Sequence, residues 1–121
     1  MTDAELIERA RSDPAAFRTL YDRYAGRIHT YHLRRTRHDE AALDLTAETF
    51  AQAWVSRLRF TNGGGGSAGP WLYGIARHVL LVSVRRGRLE RRACERLGLM
   101  EALDRPPAAV EPHERWLDGL D

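Results

Sequence analysis

The sequence contains no lysine: all 19 of its basic residues are arginine. Cysteine is almost as scarce. Cys94 stands alone, so no intramolecular disulfide can form, and a reducing cytoplasm is the natural compartment for such a chain. No apolar run approaches the roughly 18 residues that a membrane-spanning helix needs, which argues against a membrane partner. The amino terminus, Met1-Thr2-Asp3-Ala4-Glu5, is acidic and has no apolar signal core, so it does not read as a secretion signal. A phosphate-binding loop, a nucleophile elbow and a triad-like cluster are equally missing, and nothing points to an enzyme. His29 and His32 lie three residues apart, but no Cys, Asp or Glu joins them at metal-ligand spacing, so neither a metal nor another cofactor is implied.

What is present is enough apolar chain for one modest core: 121 residues, 43% of them hydrophobic. The net charge of +2 hides a strong segregation. Between Asp39 and Glu48 stand four acids (Asp39, Glu40, Asp44, Glu48) and no arginine. Between Trp71 and Met100 seven arginines face two glutamates, and between Glu101 and Asp121 six acids face two arginines. A basic block of this kind is the electrostatic footprint of phosphate contact. A solvated helix face is the bland alternative, and arginine without lysine also fits a GC-rich genome.

The pattern is helical throughout and predicts an all-α bundle of four to five helices. Thr2 with Glu5 fits a capping box opening a short helix to about Arg11. Asp13-Pro14 is an N-cap followed by proline at the first helical position. Phe17, Leu20, Tyr21, Tyr24, Ile28 and Tyr31 then mark one buried face of a long helix ending in the Arg34–His38 cluster. Asp39 can cap the next helix, whose apolar stripe is Ala42, Leu45, Phe50, Ala53, Trp54 and Leu58, with an unexplained five-residue step from Leu45 to Phe50. Asp44, Glu48 and Gln52, four residues apart, share a different face. The glycine-rich stretch 61–69 cannot hold a helix, and Pro70 opens the last one. Leu72, Ile75, Ala76, Val79, Leu80 and Val84 supply its buried side, leaving arginines for solvent; Gly87 is a candidate kink or end. Leu89, Ala93, Leu97 and Met100 or Leu103 continue helical spacing, and Arg105-Pro106-Pro107 ends it.

Taken in order, Asp13-Pro14-Ala15-Ala16-Phe17, Leu20-Tyr21, Asp44-Leu45-Thr46-Ala47-Glu48-Thr49-Phe50, Ala53-Trp54, Arg59-Phe60, Trp71-Leu72-Tyr73, Ile75-Ala76-Arg77 and Arg85-Arg86 resemble region 2 of bacterial RNA polymerase sigma factors. The likeness is narrower still to the extracytoplasmic-function group. It covers about Asp13 to Arg86, and no single motif carries it alone. The resemblance implies a helical domain over residues 1–104 that binds core RNA polymerase, through the clamp helices of its largest subunit, and recognises and helps melt the promoter −10 element. An anti-sigma factor is a further partner that the resemblance implies. Residues 105–121 read as a linker and, from Glu114, as the start of a second domain, region 4, so the chain reads as a piece of a longer protein, with a naturally short protein as the alternative.

On that resemblance Asp44, Glu48 and Gln52 are the polymerase-binding residues; the residues alone favour a solvated face. Phe60, Asn62, Trp71, Arg77, His78, Arg85, Arg86 and Arg88 are the DNA-binding set. Trp71 supplies a stacking surface for an unpaired base, or else anchors its helix in the core. Asn62 has an amide suited to base edges, in a loop that is otherwise an inert connector. The arginines position DNA through its phosphates. The chain departs from the family pattern in its long glycine loop, in Ala47 where glutamine is frequent, in His78 for asparagine and in Val82 for aspartate. The competing function is a helical interaction protein, an adaptor or inhibitor that binds polymerase or a regulator without reading a promoter.

Overall fold

The computed structural model describes residues 1–61 and 66–97. They form four α-helices, α1 (Asp3–Arg9), α2 (Pro14–Thr36), α3 (Asp39–Ser56) and α4 (Gly69–Leu97), with a 3-10 turn (Arg57–Arg59) closing α3. Among these residues there is no strand, and no helix is long and apolar enough to cross a membrane. Met100, Leu103 and the expected linker at 105–121 lie outside the described residues.

The helix starts follow local chemistry. Thr2 Oγ1 accepts from the Glu5 N–H at 3.1 Å while the Thr2 N–H donates to Glu5 Oε1 at 2.8 Å, a complete capping box. α1 then stops at Arg9 rather than Arg11. Asp13 Oδ1 accepts from the Ala15 N–H at 3.0 Å, with Pro14 at the first helical position. At its far end α2 is stopped by Arg37 in the left-handed conformation (φ 55°), an uncommon choice for a side chain with a Cβ. That turn leaves His38 as the extended residue before α3. It is therefore His38, not Asp39, that caps α3, its Nδ1 accepting from the Ala41 N–H at 3.4 Å. Asp39 becomes the first helical residue, where its charge still favours the helix dipole. α4 begins at Gly69, one residue ahead of Pro70, and Ser67 Oγ accepts from the Gly69 N–H at 3.1 Å.

The core sits where α2, α3 and α4 meet, on Leu20, Tyr24, Ile28, Phe50, Ala53, Leu72 and Ala76, with Ile7 of α1 closing one end. A second cluster, Leu45, Val79, Leu80 and Val84, continues it between α3 and α4. On α2 the buried residues recur at every fourth position: Ala16, Leu20, Tyr24, Ile28, His32 and Thr36. Each such step turns the helix by about 40°, so the buried face winds around the axis. Tyr21, expected inside, is thereby carried to the surface at 37% exposure and meets Phe50 edge-on at 4.8 Å. Phe17 packs likewise on Trp54 at 5.2 Å, whose other face carries the Arg57 guanidinium at 3.5 Å.

The five-residue step on α3 is bridged by threonines. Thr46 and Thr49 are buried, and their hydroxyls donate to the carbonyls of Ala42 and Leu45, each at 2.7 Å. With its hydroxyl satisfied inside its own helix, threonine is admissible in a core. Leu58, expected on the same stripe, sits in the 3-10 turn at 52% exposure. Gly87 is buried and α4 runs through it unbroken, so the expected kink or end does not occur there.

His32, fully buried, joins α2 to α3 through a 3.0 Å contact of Nε2 with Thr49 Oγ1. Because the Thr49 hydroxyl proton goes to Leu45, Oγ1 accepts here and Nε2 carries the hydrogen. Nδ1 has no hydrogen-bond partner among the described residues. Burial, with smaller contributions from the charges of Arg35 and His29, lowers the pKa of this imidazole from 6.5 to about 4. The unfolded chain therefore takes up a proton that the folded one refuses, and stability falls as pH drops from about 6.5 to about 4. The expected loss is about 3 kcal/mol. Denaturant unfolding between pH 7.5 and 4 should show it, and His32→Gln, which keeps a donor toward Thr49, should remove most of that slope.

Candidate functional site

One face of α3 is spent on the core, and the other faces outward. Asp44 and Glu48 are exposed and Gln52 half-buried, with Gln52 Nε2 donating to Glu48 Oε2 at 3.2 Å. The three thus form one acidic edge. They line a groove of about 350 Å³ whose opposite wall is α4: Val79, Val82, Ser83 and Arg86. Arg86 faces the carboxylates across this groove without forming an ion pair among the described residues. Its place is beside the acidic edge rather than with the other arginines with which its sequence neighbours group it.

Phe60 and Trp71 meet at the two feet of the glycine loop. Phe60 ends the 3-10 turn with its N–H donating to the Arg57 carbonyl at 3.3 Å, and Trp71 is the third residue of α4. Their rings stack edge to face at 5.1 Å, both half-buried and both resting on the core. Trp71 thus anchors the start of α4 against the core while part of its ring stays accessible. Asn62 lies outside the described residues.

Along α4, Trp71, His78 and Arg85 are spaced by seven residues, hence on one line of the helix with steps of about 10 Å. His78 and Arg85 are exposed. Arg77 and Arg88, eleven residues apart, lie on a different line, turned toward α2. The six members of the expected DNA-binding set that lie on α4 are thus distributed over three strips: Trp71–His78–Arg85, Arg77–Arg88 toward α2, and Arg86 toward α3.

The strip toward α2 carries side chains absent from that set. Asp22, Arg23, Gly26, Arg27, Thr30 and Tyr73 border a shallow depression of about 410 Å³. The Arg27 guanidinium lies 4.4 Å over the Tyr24 ring and that of Arg35 lies 3.8 Å over Tyr31, whose ring meets Tyr73 edge-on at 5.5 Å. Burial pushes the Tyr31 hydroxyl above its ordinary pKa, and the charges of Arg35 and Arg77 pull against it. The signal in the sequence was the interleaving of arginines and tyrosines between Tyr21 and Arg35, masked by assigning those tyrosines to the core. Among the described residues there is no group of three His, Cys, Asp or Glu side chains that could hold a metal ion. His32 is committed to Thr49, not to His29.

The ordered motifs of α2, α3 and α4 are thus three sides of one bundle, and comparison with known proteins covers the same span. Residues 20–90 match the family model of sigma-70 region 2. The RNA polymerase sigma factor YlaC of Bacillus subtilis (strain 168) is 40% identical over 67 residues, which are 55% of this chain and 38% of that protein. The chain therefore spans well under half the length of this curated relative. No solved structure matches it. A family model that takes in α4 through Glu90 and most of α2, together with all of α3, leaves one assignment: the chain belongs to the sigma-70 region 2 family.

Proposed function

We propose that this chain is the promoter-engaging domain of a sigma factor of the extracytoplasmic-function group. In this reading residues 1–104 form the region 2 domain and 105–121 are the linker and first residues of a region 4. The acidic edge of Asp44, Glu48 and Gln52 binds core RNA polymerase, at the clamp helices of its largest subunit. Phe60, Trp71 and the loop containing Asn62 receive an unpaired base of the −10 element, and His78, Arg85, Arg77 and Arg88 hold the phosphates on either side. The observation that carries this reading is the placement, on one rigid bundle, of an acidic edge on α3 and an aromatic-to-basic line on α4 that do not overlap.

No covalent step is involved. An aromatic platform contributes about 1–3 kcal/mol per stacked base, and unstacking a step costs a few kcal/mol, so the domain alone cannot hold a duplex open. Melting requires the polymerase to bind the strands as well. The depression between α2 and α4, where Arg27 stands near Tyr73 with Asp22 and the Asp3-bound Arg23 on its rim, offers a continuation for a single strand leaving Trp71. An anti-sigma factor would act by covering either surface.

Two variants separate the surfaces. Glu48→Arg should weaken binding to core polymerase at least about tenfold while the melting temperature stays put; unchanged affinity would remove α3 from the docking surface. For DNA bound by the reconstituted complex, Arg85→Ala should flatten the plot of log affinity against log salt by about 0.7–0.9. Arg86→Ala should leave that slope in place and alter core binding instead. In vitro transcription by core polymerase with the full-length gene product decides the larger question. Core binding without promoter-dependent start sites would make the protein a helical adaptor or inhibitor.

A further inference from the structure

The amino-terminal helix adds Leu6, Ile7 and its cap Ala10 to the core, and its first turn also makes a concentrated set of polar contacts. Asp3 is only 8% exposed. Its Oδ2 accepts from the Ala68 N–H at 2.8 Å and from the Tyr24 hydroxyl, and its Oδ1 accepts from Arg23 Nη1 at 2.9 Å. Arg23 Nη2 in turn donates to the Met1 carbonyl at 2.7 Å. The contact is reciprocated by the backbone: the Ala4 N–H, which has no acceptor within α1, donates to the Gly66 carbonyl at 3.2 Å. Gly66 can turn its carbonyl this way because it holds a φ of +71°, with Thr2 packed against the place where a Cβ would stand. Two residues on, the Ala68 carbonyl accepts from the Leu72 N–H at 2.9 Å, so the clamped strap Gly66–Ala68 runs straight into the first turn of α4.

We propose that Asp3 is a positioning residue for nucleic-acid capture: its carboxylate fixes the strap Gly66–Ala68, and through it the pose of Trp71 at the start of α4. This rests on the strand-capturing reading above. Burial alone would raise the carboxyl's pKa; the hydrogen bonds from Ala68, Tyr24 and Arg23 with the Arg23 charge outweigh that and lower it, so the clamp is anionic at neutral pH. The physical reason for such a device lies in the sequence it restrains. Glycine gives up more backbone freedom than any other residue when it is fixed in one conformation, and the strap begins at one, Gly66. Tying the strap down in advance reduces that cost and fixes where the platform stands. Phe60, the other foot, rests on the core, follows the 3-10 turn and meets the Trp71 ring, with no side-chain clamp of the kind Asp3 gives the strap.

The test compares the wild-type chain with Asp3→Asn, which keeps the shape but turns an amide N–H₂ toward donors, and with Tyr24→Phe, which removes one donor and leaves the Ala68 contact. Hydrogen exchange in the free chain reads the clamp; bound to core polymerase, each protein then selects from a randomised pool of single-stranded DNA. Asp3→Asn should speed exchange of the Ala68 amide at least about tenfold, and lower affinity for the wild-type-selected strand by about tenfold with base preference flattened, while core affinity stays within about twofold. Tyr24→Phe should fall between. Faster Ala68 exchange with unchanged strand selectivity overturns the positioning role, as does unchanged exchange. Parallel loss of core binding in both variants would reduce Asp3 to a structural residue. A wild-type complex that selects no strand overturns the strand-capturing reading itself, and the proposal with it.

Discussion

The arrangement depends on how closely α3 can lie between α2 and α4. Its inner face is built from small side chains, Ala41, Ala42, Thr46, Thr49 and Ala53, with Leu45 and Phe50 as the only large members. Small residues let helix axes approach, and the two threonines remain compatible with a dry interface because their hydroxyls are satisfied by α3's own carbonyls. One of those hydroxyls does a second service by accepting from His32, the single polar side chain by which α2 reaches fully into this contact. Since the inner face alone secures α3, its outer edge is free to carry charge. Asp44 and Glu48 can repel one another slightly on an isolated helix without threatening the fold.

Much of this was legible in the sequence where the cause is local. The Thr2–Glu5 box, the Asp13–Pro14 start and the Pro70 start depend on residues within a few positions, and all were found within one residue. The buried side of α4 was legible because its periodicity is regular. What escaped depends on contacts distant in the chain. Tyr21 is indistinguishable from a core residue until the winding of α2's buried face is known, and His32 looks like half of a metal pair until Thr49 is placed beside it. Thr46 and Thr49 look polar, although back-bonding makes them interior. His38 took the capping role from Asp39 because a left-handed arginine shifted the turn by one residue, something no propensity indicates.

The candidate site divides the same way. The four-residue spacing of Asp44, Glu48 and Gln52 put them on one edge, and that edge exists. The basic block, by contrast, reads as one feature along the chain but is three strips around a helix, and only coordinates separate Arg86 from Arg85. Asp3, the residue on which the further inference turns, is 65 positions from the amide it holds. In the sequence it is simply an acid in the first turn of a helix, which the dipole already explains.

α4 is 29 residues long, and none of residues 88–96 is buried. From Trp71 to Leu97 it extends roughly 40 Å at about 1.5 Å per residue. Such a helix is a lever whose fulcrum lies in the core and whose short arm is the strap that α1 holds. With the fulcrum near Leu80, a tilt of about 3° would displace the Leu97 end, roughly 25 Å away, by about 1.3 Å. The last described turn of α4 is therefore geared to the same few hydrogen bonds that hold its start, so that the seating of Trp71 and the direction of the far end are two readings of a single angle.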